Sequence, residues 1–130
     1  KDVSFLAQKS EIATKDDIEV VNDLIDTLNA NLDNCVGMAA NMIGEDVSII
    51  VAQVGMSYLV MFNPVIISTK DEYETMEGCL SHSGERKCIR HKSIKIKYDD
   101  FNFKSHTEEF KGLTAQIIEH EVDHLKGILI

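Results

Sequence analysis

The sequence predicts an α+β domain, with an amphipathic helix near its start, a long strand-forming stretch through its middle and a second helix close to its end. Three observations carry this. Ile18, Val21, Ile25, Leu28 and Leu32 recur at helical spacing, with Leu24 beside them. Val47 to Ser68 is dense in β-branched and aliphatic residues, and Ile94, Ile96 and Tyr98 alternate with Lys95 and Lys97 as in a half-buried strand. Leu113 to Leu125 returns to helical patterning and is closed by Gly127.

Taken in order, the first helix spans Asp16 to Leu32, and Thr14 with Asp17 three residues on caps its start. Asp33 to Gly44 is rich in glycine and alanine, which suits either a tight turn or a close approach of backbone to a ligand. Gly55 divides the next stretch into two or three strands, and Pro64 restricts one of them to a sheet edge or a strand start. The strand at 94–98 pairs with a return strand within Phe101 to Phe110, turning near Asn102. No repeat, linker or low-complexity tract interrupts the chain, and 130 residues at 44% hydrophobic composition make one domain, 1–130, with one core.

The formal charge of −9 argues against a DNA or anionic-membrane partner. Arg86 to Lys97 is the one basic segment, read as a solvated strand face, with ribosome contact as the alternative. Three cysteines form no disulfide framework and favour a reducing compartment. No apolar run approaches the roughly 18 residues of a membrane span, and no signal sequence opens the chain, so the expected location is the cytoplasm. Oligomeric state is not encoded in any pattern here.

The most specific chemistry lies in His120-Glu121-Val122-Asp123-His124. Two histidines four apart project from one helix face and can grip one metal ion, with Glu121 beside them as a general base. A zinc-protease arrangement would draw its third ligand from downstream, where only Leu125, Lys126, Gly127, Ile128, Leu129 and Ile130 follow. The third ligand is therefore expected upstream, among Cys35, Cys79, Cys88, His82, His91, His106 or a carboxylate. Cys79 is preferred: a thiolate is the softest donor, and Gly78 before it permits close backbone approach. Cys35 and Cys88 read as small buried hydrophobes, and His82, His91 and His106 as surface residues.

Glu77-Gly78-Cys79-Leu80-Ser81, followed by the HEVDH segment and preceded by Cys35-Val36-Gly37-Met38-Ala39-Ala40-Asn41-Met42, resembles the three signature motifs of peptide deformylases in their order. The similarity extends over nearly the whole chain. It implies the deformylase fold, with antiparallel or mixed sheets around a C-terminal metal-binding helix. It also implies one divalent ion on Cys79, His120 and His124 with a fourth position open to water: Fe2+ natively, Zn2+ or Ni2+ in preparations. The implied reaction removes the formyl group from an N-formylmethionyl peptide or nascent chain. In it Glu121 moves the proton and the Leu80 backbone N–H holds the developing oxyanion. Substrate contacts are implied at Val36, Gly37, Gly78, Arg90 and Gln116.

The chain departs from the family pattern at Met42, where deformylases carry a glutamine whose amide assists the oxyanion; methionine has no N–H to offer. Losing one such donor costs about 10²–10³ in turnover, so reduced activity is expected. Gln116, one turn before His120, is a candidate source of the missing amide. Glu119 replaces a usual glutamine. A competing function is a deformylase-like protein that binds metal and peptide without efficient turnover; the intact Glu121 favours the enzyme.

Overall fold

The computed structural model describes residues 12–30, 36–54, 57–78 and 85–128. The first helix is announced by a 3-10 turn, Lys15–Asp17, whose capping box is complete: Thr14 accepts from Asp16 N, and the Asp17 carboxylate accepts from Thr14 N at 2.9 Å. Helix α1 then runs Ile18–Ala30 and buries Val21, Leu24 and Leu28, the stripe its periodicity predicts. Its expected end at Leu32 lies outside the described residues.

Among the described residues the strands form one sheet in the order β1 (Gly37–Ala39), β2 (Ile49–Val54), β3 (Ser57–Gly78), β4 (Glu85–Asp99), β5 (Ser105–Lys111). Every neighbouring pair is antiparallel, which resolves the antiparallel-or-mixed expectation. Helix α2, Gly112–Leu125, packs on the opposite face of the sheet from α1. Side-chain alternation shows this directly. Met38, Ile49, Val51 and Phe62 join Leu24 and Leu28 in one core cluster, while Ala39, Ile50 and Met61 join Ile118 and Val122 in the other. The run Ile49-Ile50-Val51-Ala52 is apolar without interruption because both its faces are covered.

Two expectations need correction. Pro64 stands neither at an edge strand nor at a strand start; it lies inside β3, at a register shift between Phe62 and Val65 where β3 leaves β2 and continues against β4. There the missing N–H costs no ladder bond, and Asn63 takes φ 53° to make the bulge. β3 also runs on to Gly78, through a polar stretch that carries no hydrophobic alternation. The turn before β5 is built on Asp100, whose carboxylate accepts from Asn102 N and Lys104 N at 2.8 and 3.1 Å. α2 ends in a Schellman motif: Ile128 N donates to Asp123 O at 2.9 Å and Gly127 N to His124 O at 3.0 Å, with Gly127 at φ 82°.

Candidate metal centre

α2 is buried almost all round because it serves three neighbours. Ala115, Ile118, Val122 and Leu125 face the core. Gln116, Ile117, His120 and Glu121 line a cleft of about 200 Å³ together with Val36 and Gly37 from β1, Met76 and Glu77 from β3, and Glu85 and Leu113. Glu119 faces β4.

His120 Nε2 and His124 Nε2 converge to 3.0 Å. Two nitrogens on one tetrahedral ion stand roughly 3.3 Å apart for bonds of about 2.0–2.1 Å, so the spacing of the pair suits a shared cation. His120 Nδ1 lies 2.6 Å from Glu77 Oε1, and a carboxylate there holds the proton on Nδ1 and leaves Nε2 for the ion. The donor set therefore fits a divalent ion. Among the described residues no group of three His, Cys, Asp or Glu side chains could hold one, because Cys79, the expected third ligand, lies outside them, as does Leu80. Gly78 ends β3 directly before Cys79, and its surroundings are likewise not described.

Glu77 is the residue the sequence reading missed. It is 8% exposed and accepts from Arg90 Nε and Arg90 Nη2, from His120 Nδ1 and from Gln116 Nε2. Burial opposes its ionisation, but the hydrogen bonds from His120, Arg90 and Gln116 outweigh that and hold its carboxyl down at about 2. A depressed pKa means the stabilisation is complete above the ordinary value of 4.5 and is lost as pH falls from there toward 2. On the order of 3 kcal/mol is at stake. Urea unfolding of metal-free protein between pH 7 and 3 is expected to show this decline, and Glu77→Gln to flatten it; equal slopes would refute the assignment.

Arg90, expected as a substrate contact, is 3% exposed and does not line the cleft. Its guanidinium sits behind Glu77, bridging to Asp123 Oδ2 at 2.7 Å. Burial works against its charge, while Glu77 and Asp123 raise its pKa above the ordinary guanidinium value. Met42 is 2% exposed in the core cluster that packs on α1, and is not among the cleft residues. Its neighbour Asn41 donates from Nδ2 to His124 O at 2.7 Å, tying the 3-10 turn Ala40–Ile43 to the helix end that carries the second histidine. Gln116 does reach the cleft, but its amide N–H goes to Glu77 Oε2 at 2.8 Å, not into the open space.

Of the remaining candidates, those described have partners away from the His120–His124 pair. His91, expected on the surface, is partly buried and clamped by Glu119, which is 5% exposed and accepts from His91 N at 2.8 Å and contacts His91 Nδ1 at 2.8 Å. His106 pairs with Asp100 at the β4–β5 turn. Cys88 is a buried thiol whose pKa is pushed up to about 11, by burial first, with Arg90 pulling against it and Glu77 adding to it, in keeping with a packing role. Cys35 and His82 lie outside the described residues.

Gly37 shows why β1 carries no side chain beside Glu121. A Cβ there would lie 2.6 Å from Ile117 Cγ2 and 3.2 Å from Glu121 Oε2. Gly37→Ala is therefore expected to destabilise the fold by about 1–3 kcal/mol through overpacking. Ile117→Ala in the same chain should recover part of that loss; thermal unfolding of the single and double variants that showed simple additivity would exclude the clash.

No helix among the described residues is long and apolar enough to cross a membrane. The sequence profile of the polypeptide deformylases matches residues 4–130. A peptide deformylase of Clostridium beijerinckii (strain ATCC 51743 / NCIMB 8052) is 54% identical over 130 residues, covering 100% of this chain and 96% of its own. Among solved structures, the peptide deformylase of Thermotoga maritima matches with a TM-score of 0.87 and 28% identity, over 96% of this chain and 87% of its own. A class I type b peptide deformylase of Acinetobacter baumannii with Met-Ala-Ser bound matches at 0.87 and 26% identity, over 97% and 90%.

Proposed function

Because the chain belongs to the peptide deformylase family, hydrolases that use a single divalent ion on N-formylmethionyl peptides, we propose that its ion is held by Cys79, His120 and His124 and that Glu121 is its general base. The observation that carries this reading is the convergence of the two Nε2 atoms at 3.0 Å behind a cleft that His120 and Glu121 line. We take Fe2+ as the native ion and the cytoplasm as the setting, where formylated chains leave the ribosome.

A bound divalent ion supplies Lewis acidity, polarising the formyl carbonyl and acidifying the attacking water. Glu121 accepts the proton of that water and returns it to the amine nitrogen as the C–N bond breaks, releasing formate and a free N-terminus. Glu77 keeps the proton of His120 on Nδ1. Gly37 leaves space at Glu121, and Val36 and Gln116 form part of the wall along which the peptide lies. The Leu80 backbone N–H stabilises the charge developing on the formyl oxygen. Methionine at position 42 offers no N–H there, and turnover is lower by about 10²–10³ than with the full set of donors.

The test is release of formate from formyl-Met-Ala-Ser by protein loaded anaerobically with Fe2+, against the metal-free chain. Release dependent on the ion is expected. A rate equal to the metal-free blank, with the ion shown to be bound, would overturn the assignment in favour of a binding protein.

A further inference from the structure

We infer that Gln116 is a positioning residue: acting through Glu77, it holds His120 in the tautomer that keeps the ion's place open. The inference rests on the reading that His120 and His124 share a divalent ion. The geometry is a two-by-two ladder. β3 presents Tyr73 and Glu77, four apart on one strand face, and α2 presents Gln116 and His120, four apart on one helix face. Glu77 Oε1 meets His120 Nδ1 at 2.6 Å, Gln116 Nε2 donates to Glu77 Oε2 at 2.8 Å, and Tyr73 Oη approaches Gln116 Oε1 at 3.4 Å.

A carboxylate offers about four lone-pair sites, and here all are used. Oε1 accepts from His120 Nδ1 and Arg90 Nη2, while Oε2 accepts from Arg90 Nε and Gln116 Nε2. The Gln116 amide points one way only: its oxygen turned toward Glu77 would face a carboxylate, and the Tyr73 hydroxyl would lose its acceptor. Without the Gln116 donor, Oε2 is left short of a partner beside a cleft, and the carboxylate can turn away from the imidazole.

That turn matters because His120 has a second partner. With the proton on Nδ1, the open form, Nε2 presents a lone pair to an ion; with the proton on Nε2 that lone pair is gone and the ring can only donate, toward His124 Nε2 3.0 Å away. Glu77 selects the open form, and Gln116 holds Glu77 in the orientation that selects it.

The test compares wild type with Gln116→Met, which keeps the shape and removes the N–H, and Tyr73→Phe, which removes only the hydroxyl that orients the amide. In metal-free protein, long-range proton–nitrogen correlation spectra read the His120 tautomer; competition with a chromophoric chelator reads Zn2+ affinity. Gln116→Met is expected to raise the population with the proton on Nε2 and to weaken Zn2+ binding about tenfold, within the range for residues that orient ligands. Tyr73→Phe should move both readouts the same way by less. Wild-type affinity and tautomer in Gln116→Met would overturn the inference alone; a wild-type chain that binds no Zn2+ would overturn the ion reading beneath it. Should Gln116→Met not fold, unchanged readouts in Tyr73→Phe overturn it.

Discussion

Glu121→Gln is expected to reduce formate release by about 10²–10⁴ while leaving ion content unchanged, because it removes a proton acceptor and no ligand. The amide keeps the volume of the carboxylate at a site that is 6% exposed and packed beside Gly37 and Ile117, so the fold has no cause to change. The measurement is the rate of formate release at matched ion content, with unfolding followed in parallel. Turnover within tenfold of wild type would show that another group moves the proton and would withdraw Glu121 from that role.

Arg90→Met is expected to produce a large loss of stability. Arg90 stands between two carboxylates, 2.8 Å from Glu77 and 2.7 Å from Asp123, at 3% exposure. Removing the cation leaves Glu77 buried without a counter-charge, which costs about 3–5 kcal/mol, far more than the pair contributes over an apolar replacement. Glu77 is also the partner of His120 Nδ1, so ion affinity should fall by about 10–100-fold in the same variant. Adding Glu77→Gln to Arg90→Met removes the stranded charge, and should restore part of the stability but not the affinity. The urea midpoint and chelator competition separate these outcomes. A loss under about 1 kcal/mol would place Arg90 among ordinary surface cations.

The helices were legible because their signals are local. The Thr14–Asp17 capping box, the stripe of Val21, Leu24 and Leu28, and the Gly127 terminus each depend on residues within one or two turns. The outer half of β3 was not legible, because Thr69 to Met76 forms the strand through its pairing with β4 and not through any apolar alternation of its own. Pro64 was misplaced for a related reason: a strand that changes partners midway has a point where no N–H is needed, and only the pairing shows where that point is.

At the site, the sequence by itself determined the helix-borne pair His120 and His124 with Glu121 beside them, since the i, i+4 relation is a property of any α-helix. It also pointed, through three motifs, to the peptide deformylase family, which the profile match over residues 4–130 and the 54% identical relative show. The tertiary structure alone decided that Arg90 backs Glu77 and does not line the cleft, that Glu119 clamps His91, that Met42 lies in the core, and that Gln116 is committed to Glu77. Each of those assignments depends on which side chains from distant segments compete for the same buried hydrogen-bonding groups. That competition is settled by packing β3 and β4 against α2, because a buried donor or acceptor takes whichever partner the fold brings within reach, however far away in the chain.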